Sequence, residues 1–296
     1  MTDPRRPFGT LLTAMVTPFR GDGSLDLAGA ATLAEHLVAS GNDGLVLNGT
    51  TGESPTTTDD EKERLVRAVV EAVGSRAHIV AGVGTNDTAH TCELARQAEK
   101  AGAHGLLVVT PYYSKPPQAG LRAHFETVAD ATGLPNMLYD IPGRSGTPIT
   151  TETLCRLAAH ERIVAVKDAK DDLAASSDVL ARTDLAYYCG TDLLNLPLLS
   201  IGGAGFVSVV SHLLADRITA LAAAFDRGDN AEATRLHQSL LPAYTGFFRT
   251  QGVITVKAAL TARGLPAGPT RPPLCDATAA EVETLRNDLA AAGVTL

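Results

Sequence analysis

The chain has 296 residues, of which 45% are hydrophobic, and this is enough for one large α/β domain or for a barrel with a small appendage. Its net charge of −8 and its lack of any basic run argue against nucleic acid or an anionic membrane surface as the main partner. The start from Met1 to Pro7 lacks the apolar core of a signal peptide, and no apolar stretch is long enough to span a bilayer, so we expect a cytoplasmic protein.

Cysteines and histidines are scattered along the chain. The four cysteines, at positions 92, 155, 189 and 275, have neither CxxC spacing nor the pattern of a secreted domain, so we expect reduced thiols. The eight histidines form no HxH or HExxH pair. These patterns do not favour a metal-dependent mechanism.

Short apolar runs alternate with longer amphipathic segments as far as about residue 210. The runs are Leu11 to Val16, Gly44 to Leu47, His78 to Val83, Gly105 to Val109, Asn136 to Tyr139, Ile163 to Val166, Leu185 to Cys189 and Phe206 to Val210. Apolar runs separated by helical patterns predict βα units and a parallel sheet. Eight such units favour an α/β fold of the (β/α)8 TIM-barrel type over an open doubly wound sheet.

Helix signals lie between the predicted strands. Thr58 and Glu61 have the spacing of a capping box, and the segment Asp87 to Ala101 is a further helix. Asn195 and Pro197 are typical of an N-cap and a first-turn proline.

The strand signal disappears beyond about residue 212. The sequence therefore predicts a catalytic barrel over residues 1–225 and a helical domain over residues 226–296. The last helix opens with capping-box spacing from Thr278 to Glu281 and is expected to bury Val282, Leu285 and Leu289.

A lysine, Lys167, follows the apolar run Ile163 to Val166. Burial at the end of a strand lowers the pKa of a lysine. An amine with a pKa of about 7 to 8 is partly neutral in the cell and can attack a ketone to form a Schiff base. The competing interpretation is a lysine that extends to solvent, and this run alone favours that interpretation.

Two glycines flank two hydroxyls in the loop after the second predicted strand, from Asn48 to Ser54. Loops at the carboxyl ends of barrel strands carry the active groups of such folds. Backbone N–H groups here are free to approach a small carboxylate. An ordinary turn rich in glycine and threonine explains the motif equally well.

Tyr112 and Tyr113 lie in a proline-flanked loop after the fourth strand. Phenols beside a barrel mouth can relay protons. Tyrosine pairs are more often packing or interface material, and this interpretation stays open.

Tyr139 ends the fifth strand, and Arg144 follows five residues later. The planar guanidinium of arginine suits a carboxylate because it can bind both oxygens. A surface salt bridge is the alternative role for Arg144.

These four motifs, in this order, resemble the dihydrodipicolinate synthase family of pyruvate-dependent class I aldolases. They are the GTTGE loop (49–53), the PYY loop (111–113), the Y-x-x-P-x-R loop (139–144) and Val166-Lys167-Asp168-Ala169. Each motif alone is weak, but the four in fixed order on successive strands are specific, and the resemblance covers nearly the whole chain. The resemblance therefore favours a catalytic Lys167 over a lysine that extends to solvent.

The resemblance implies a role for eight residues. Lys167 matches the lysine that forms the Schiff base with pyruvate, and Tyr139 matches the tyrosine that relays protons. Of Thr50 and Thr51, one matches the proton-relay threonine and the other the threonine that holds the carboxylate of pyruvate; we assign these roles to Thr50 and Thr51 respectively. Tyr113 matches the relay tyrosine lent by a neighbouring subunit.

The remaining three residues match positions that bind substrate. Arg144 matches the arginine that receives the carboxylate of aspartate β-semialdehyde. Gly190 and Val207 match positions near the lysine, in the lining of the pyruvate pocket.

The reaction that the resemblance implies joins pyruvate to L-aspartate β-semialdehyde to give 4-hydroxytetrahydrodipicolinate, on the way to diaminopimelate and lysine. The protonated imine nitrogen serves as the electron sink, so no metal or organic cofactor is expected. A sister aldolase acting on N-acetylneuraminate or a 2-keto-3-deoxy sugar acid is the alternative enzyme. A catalytically silent regulatory homologue is the alternative of another class.

A tyrosine that completes a neighbouring site implies a homo-oligomer, and we expect a tetramer made from two tight dimers. The chain departs from lysine-regulated members of the family at Asp59, Lys62 and His90, where those members use histidines and a glutamate. Inhibition by lysine is therefore not expected. Asp171 stands where the family leads us to expect glycine, and the sequence offers no reason for it.

Overall fold

The computed structural model describes residues 5–296; residues 1–4, which begin the segment that lacks a signal-peptide core, lie outside the described residues. Eight parallel strands form a closed barrel in chain order, and the last strand pairs with the first. They are β1 (Leu11–Ala14), β2 (Gly44–Leu47), β3 (His78–Gly82), β4 (Gly105–Val109), β5 (Asn136–Asp140), β6 (Ile163–Asp168), β7 (Ala186–Cys189) and β8 (Gly205–Ser208). The prediction of a (β/α)8 TIM barrel is confirmed.

Helices connect the strands and continue beyond the last of them. They are α1 (Leu27–Ala39), α2 (Asp59–Val73), α3 (Thr88–Lys100), α4 (Gln118–Asp130), α5 (Pro142–Ser145), α6 (Thr151–Leu157), α7 (Leu173–Arg182), α8 (Asn195–Ser200), α9 (Ser211–Asp226), α10 (Asn230–Phe247), α11 (Gly252–Ala262) and α12 (Ala279–Ala291). Short 3₁₀ turns cover Ser54–Thr56 and Asp192–Leu194.

The sixth strand is longer than its apolar run. The sequence places Lys167 at the end of this strand, and the strand runs one residue further, because its pairing with β5 continues from Tyr139 opposite Lys167 to Asp140 opposite Asp168. Lys167 is therefore held inside the sheet, next to the last residue of β6.

Two predicted helix caps are confirmed and one is wrong. Thr58 and Glu61 form the predicted capping box, as does the pair at residues 278 and 281. Asp87, predicted as the first residue of a helix, is the N-cap of α3. Asn195 does not cap α8 but is its first residue, because its side-chain amide donates inward to Asp192 Oδ1 (3.3 Å).

The helices after β8 pack against one another and against the barrel. One apolar core includes barrel residues together with side chains of α10, α11 and α12. In α12, Leu285 and Leu289 are buried as predicted, whereas Val282 is only half-buried. The predicted division between residues 225 and 226 falls at the end of α9 and stays a prediction. No helix within residues 5–296 has the length and apolar character to cross a membrane.

Candidate active site

A cavity of about 620 Å³ opens at the carboxyl ends of the strands, where a barrel of this kind carries its active groups. Its lining includes Thr50, Tyr113, Tyr139 and Arg144, from the loops after β2 and β4, the strand β5 and the helix α5. Four of the predicted site residues are thus brought to one cavity from positions far apart in the sequence.

Lys167 is buried beside this cavity. The residue is only 6% exposed, and its Nζ atom lies 4.2 Å from the centre of the Tyr139 ring. Burial lowers the pKa of Lys167 from 10.5 to about 8, the Asp192 carboxylate acts against this shift, and the Arg144 cation adds to it. A lysine with this pKa carries a useful fraction of neutral amine at physiological pH, which is the form that attacks a carbonyl carbon.

Tyr139 faces Lys167 across the β5–β6 ladder. Burial raises the pKa of the Tyr139 phenol to about 12, and the Arg144 cation and a hydrogen bond with Thr50 act in the opposite direction. The phenol therefore keeps its proton at neutral pH and can donate it to a group held next to Lys167. Its link to Thr50 provides a second hydroxyl for a proton relay.

The loop Gly49–Ser54 is a compact turn that carries Thr50 and Thr51. Its backbone closes on itself, with Glu53 N–H donating to the Thr50 carbonyl (3.1 Å) and Ser54 N–H donating to the Gly49 carbonyl (3.3 Å). The Thr17 hydroxyl donates to the Gly52 carbonyl (2.7 Å) and ties the turn to the chain after β1. Both threonines are half-buried, and Thr50 is the one that lines the cavity.

Tyr113 lies at the rim and is almost entirely open to solvent. Its side chain is 89% exposed, and its backbone has φ +72°, a left-handed conformation that non-glycine residues rarely adopt. A large apolar ring held in this way is typical of a residue that contacts another molecule.

Arg144 is exposed on α5, a single helical turn that begins at Pro142 and is followed by Gly146 with φ +77°. The Arg144 charge affects the pKa of both Tyr139 and Lys167. It is therefore close enough to bind an anion at the cavity mouth.

Gly190 lies directly against the lysine. A Cβ atom at this position would lie 3.1 Å from Lys167 Cε and 2.9 Å from the Asp168 carbonyl oxygen, so any larger side chain would displace the amine. Val207 is fully buried in β8. Both predicted lining residues thus lie on or directly after a barrel strand.

Asp192 is a residue of the site that the sequence analysis did not identify. Asp192 is 3% exposed, and its carboxylate accepts hydrogen bonds from Ser208 Oγ (2.5 Å), Val209 N (3.1 Å) and Val210 N (3.3 Å). Burial raises the pKa of Asp192, while these hydrogen bonds oppose the shift. The sequence feature that could have identified Asp192 is its position, two residues after Gly190 in the loop that follows β7.

Within the part of the chain that the structure describes, no group of three or more His, Cys, Asp or Glu side chains could hold a metal ion. The four cysteines are free thiols, as expected from their spacing, and Cys189 is buried near Lys167 with its thiol donating to the Thr191 carbonyl.

Comparison with known proteins gives one consistent result. The model of the dihydrodipicolinate synthetase family matches residues 7–292. A relative from Acidothermus cellulolyticus, 4-hydroxy-tetrahydrodipicolinate synthase, is 71% identical over 98% of this chain and 94% of its own length. A Streptomyces coelicolor protein, 4-hydroxy-tetrahydrodipicolinate synthase 2, is 64% identical over 99% of this chain and 98% of its own.

The solved structures agree with the sequence relatives. A crystal structure of the Cyanidioschyzon merolae protein, described as DHDPS with lysine bound, superposes with a TM-score of 0.95 at 43% identity and covers 97% of this chain and 99% of that one. The similarity therefore extends over the barrel and the helices that follow it.

Proposed function

The chain belongs to the dihydrodipicolinate synthetase family, and on that premise we propose that Lys167 is the amine that carries pyruvate through the reaction. The activity is that of a 4-hydroxy-tetrahydrodipicolinate synthase, a lyase of the class I aldolase type that serves diaminopimelate and lysine biosynthesis. The observation that supports Lys167 most strongly is a buried amine with a pKa of about 8 beside the Tyr139 ring.

The chemistry begins with attack of the neutral Lys167 amine on the ketone carbon of pyruvate. Loss of water gives a protonated imine, whose nitrogen withdraws electrons from the neighbouring methyl group. Removal of a methyl proton produces an enamine, and its terminal carbon adds to the aldehyde carbon of L-aspartate β-semialdehyde. The amino group of the semialdehyde then attacks the imine carbon, which closes the ring and releases Lys167.

Each of these steps moves protons near Lys167 and Tyr139, which are both buried. Tyr139 and Thr50 are joined by a hydrogen bond and form the inner part of the relay in this proposal. The protonated imine is itself the electron sink, so the mechanism calls for no metal or organic cofactor.

Carboxylates of the substrates are bound at two places. Thr51 and the backbone N–H groups of its turn hold the carboxylate of pyruvate, beside Gly190 and Val207 of the pocket lining. Arg144 receives the carboxylate of the semialdehyde at the mouth, and its exposed position on α5 supports this assignment.

Tyr113 completes the relay of a neighbouring subunit, so we propose a homo-oligomer, a tetramer built from two tight dimers. Its 89% exposure and left-handed backbone support a contact beyond its own chain. We also propose that the protein acts in the cytoplasm on its two small-molecule substrates, with neither nucleic acid nor a membrane as partner; the net charge of −8 supports this part.

The test is consumption of pyruvate by the purified protein with aspartate semialdehyde, run beside cleavage of N-acetylneuraminate and 2-keto-3-deoxy sugar acids. We expect turnover with the semialdehyde alone and none in the Lys167→Ala variant. Turnover of a sugar acid instead would contradict the assignment of Arg144, and turnover by Lys167→Ala would contradict the role of the lysine.

A further inference from the structure

The threonine-bearing turn is joined to the C-terminal helices by a buried ion pair. Glu53 ends the GTTGE motif, and its Oε1 atom lies 2.6 Å from Nζ of Lys257 on α11; the two side chains are 0% and 3% exposed. The Lys257 ammonium also donates to the Pro269 carbonyl (2.7 Å). A buried ion pair is seldom more stabilising than apolar residues of the same volume, so its value lies in fixing one arrangement of the chain.

A second cation from the same region holds both sides of the turn. The backbone N–H of Arg271 donates to Glu53 Oε2 (2.8 Å), and its guanidinium donates to the Thr56 carbonyl (2.7 Å) and to both carboxylate oxygens of Glu61 (2.8 and 2.5 Å). The same guanidinium donates to the Gly23 carbonyl (3.0 and 2.8 Å). Arg271 thus connects the end of the turn, the start of α2 and the chain after β1.

Both cations, Lys257 and Arg271, lie over the ring of Phe19. The guanidinium carbon of Arg271 lies 4.0 Å from the centre of the Phe19 ring, and Lys257 Nζ lies 4.3 Å from it. Cations at this distance from an aromatic ring are attracted to it, and the planar guanidinium loses little freedom on stacking. Both side chains are therefore fixed from several directions.

These contacts act on a strained part of the backbone. Glu53 has φ +55°, a left-handed conformation that costs energy in a non-glycine residue and persists where its surroundings impose it. The Glu53 N–H closes the turn on the Thr50 carbonyl, so a shift of Glu53 moves Thr50 as well.

We propose that Lys257 and Arg271 are positioning residues, which hold the Thr50 and Thr51 hydroxyls at the active-site cavity through Glu53. The inference rests on the proposed function, because it concerns the threonines that act on pyruvate. Neither cation lines the cavity, and both lie more than 200 positions after Glu53 in the sequence. The helices after the barrel are thereby part of the support of the catalytic turn.

The test compares Arg271→Gln with a matched control, Arg249→Gln. Arg249, two residues after the end of α10, makes a two-bond ion pair with Asp288 of α12 (2.5 and 2.9 Å), at a place that does not contact the turn. Both variants are assayed well below their unfolding temperatures for kcat, for KM of each substrate, and for trapping of pyruvate on Lys167 by borohydride.

In Arg271→Gln we expect trapping to persist at saturating pyruvate, while KM for pyruvate rises about fivefold and kcat falls about tenfold from misplacement of the threonines. In Arg249→Gln we expect both kinetic constants to stay within about twofold of the wild type. A purely structural role would lower the unfolding temperature of both variants and leave the kinetic constants of both unchanged, which would overturn the inference.

Arg271→Lys is the second variant, for the case in which Arg271→Gln does not fold. It keeps the charge and loses the planar fork, so we expect the same pattern at smaller amplitude. Wild-type kinetics in Arg271→Lys would equally overturn the inference. An inactive wild-type protein would refute the proposed function and the positioning role together, whereas an active wild type with unaffected Arg271 variants refutes the positioning role alone.

Discussion

Lys167 and Tyr139 are paired residues of neighbouring strands, and the Lys167 ammonium nitrogen lies 4.2 Å from the centre of the Tyr139 ring. The ladder between β5 and β6 fixes this distance through the backbone. Both residues lie on strands rather than in loops, so the sheet holds their backbones in place.

Replacement of Tyr139 by phenylalanine keeps the ring and removes the proton donor. We expect kcat to fall by about 10² or more, the usual contribution of a placed general acid or base. The unfolding temperature should change little because the ring still packs against Lys167. A variant that turns over at the wild-type rate would remove Tyr139 from the relay.

The low pKa of Lys167 predicts how the rate depends on pH. Burial lowers this pKa from 10.5 to about 8, so the fraction of neutral amine rises as the pH passes through 8. We expect the rate of imine formation with pyruvate, measured by borohydride trapping at short times, to rise over the same interval. A rate that stays flat from pH 7 to 9 would show that the attacking amine titrates elsewhere.

The lowered pKa of Lys167 also means that this buried lysine destabilises the folded chain. The unfolded chain keeps the ordinary pKa of 10.5 and the folded chain has about 8, so between these values the unfolded state binds more protons and stability rises with pH. Below pH 8, the free energy of unfolding of the Lys167→Met variant should therefore be about 3 kcal/mol higher than that of the wild type. Denaturant unfolding of both proteins should show this difference shrink as the pH rises towards 10.5; a constant difference would contradict the shift.

Gly190 leaves room for the lysine side chain, and Gly190→Ala should fill that room. The added Cβ would meet Lys167 Cε at 3.1 Å and the Asp168 carbonyl at 2.9 Å. We expect kcat/KM for pyruvate to fall about tenfold or more and stability to fall by about 1–3 kcal/mol. Gly21→Ala is the control, because a Cβ there has nothing within 4 Å; equal activity of the two variants would refute the close approach.

Subunit complementation tests the role of Tyr113. In the proposed assembly, a Tyr113→Phe subunit supplies an intact Lys167 and a Lys167→Ala subunit supplies an intact Tyr113. Mixed dimers from co-expression should therefore contain one complete site each, which gives about a quarter of the wild-type sites at random pairing. Activity no higher than that of the separate variants would show that Tyr113 acts within its own chain or not at all.

The barrel could be predicted because each of its strands is a local apolar run, which is visible in the sequence without knowledge of its neighbours. The sequence also allowed us to predict Lys167, Tyr139 and the threonine turn as site residues, because active groups of such barrels follow the ends of the strands. Their roles came from the resemblance, and the family is confirmed, while the roles themselves stay predictions.

Contacts between distant segments of the chain could not be predicted from the sequence. The length of β6 depends on pairing with β5, and Asn195 turns inward because Asp192 is there to accept its amide. The pair formed by Glu53 and Lys257 joins residues that no local pattern relates. Asp171 has φ +64°, which explains why glycine is expected at this position, but nothing in the structure explains the aspartate itself.

The most direct test of the central claim is to treat the protein with pyruvate and borohydride and to identify the modified residue by peptide mass spectrometry. We predict a single reduced pyruvyl adduct on Lys167, formed in the absence of the semialdehyde and lost in Lys167→Ala. An adduct on another lysine, or none on a protein that is active with both substrates, would contradict the account.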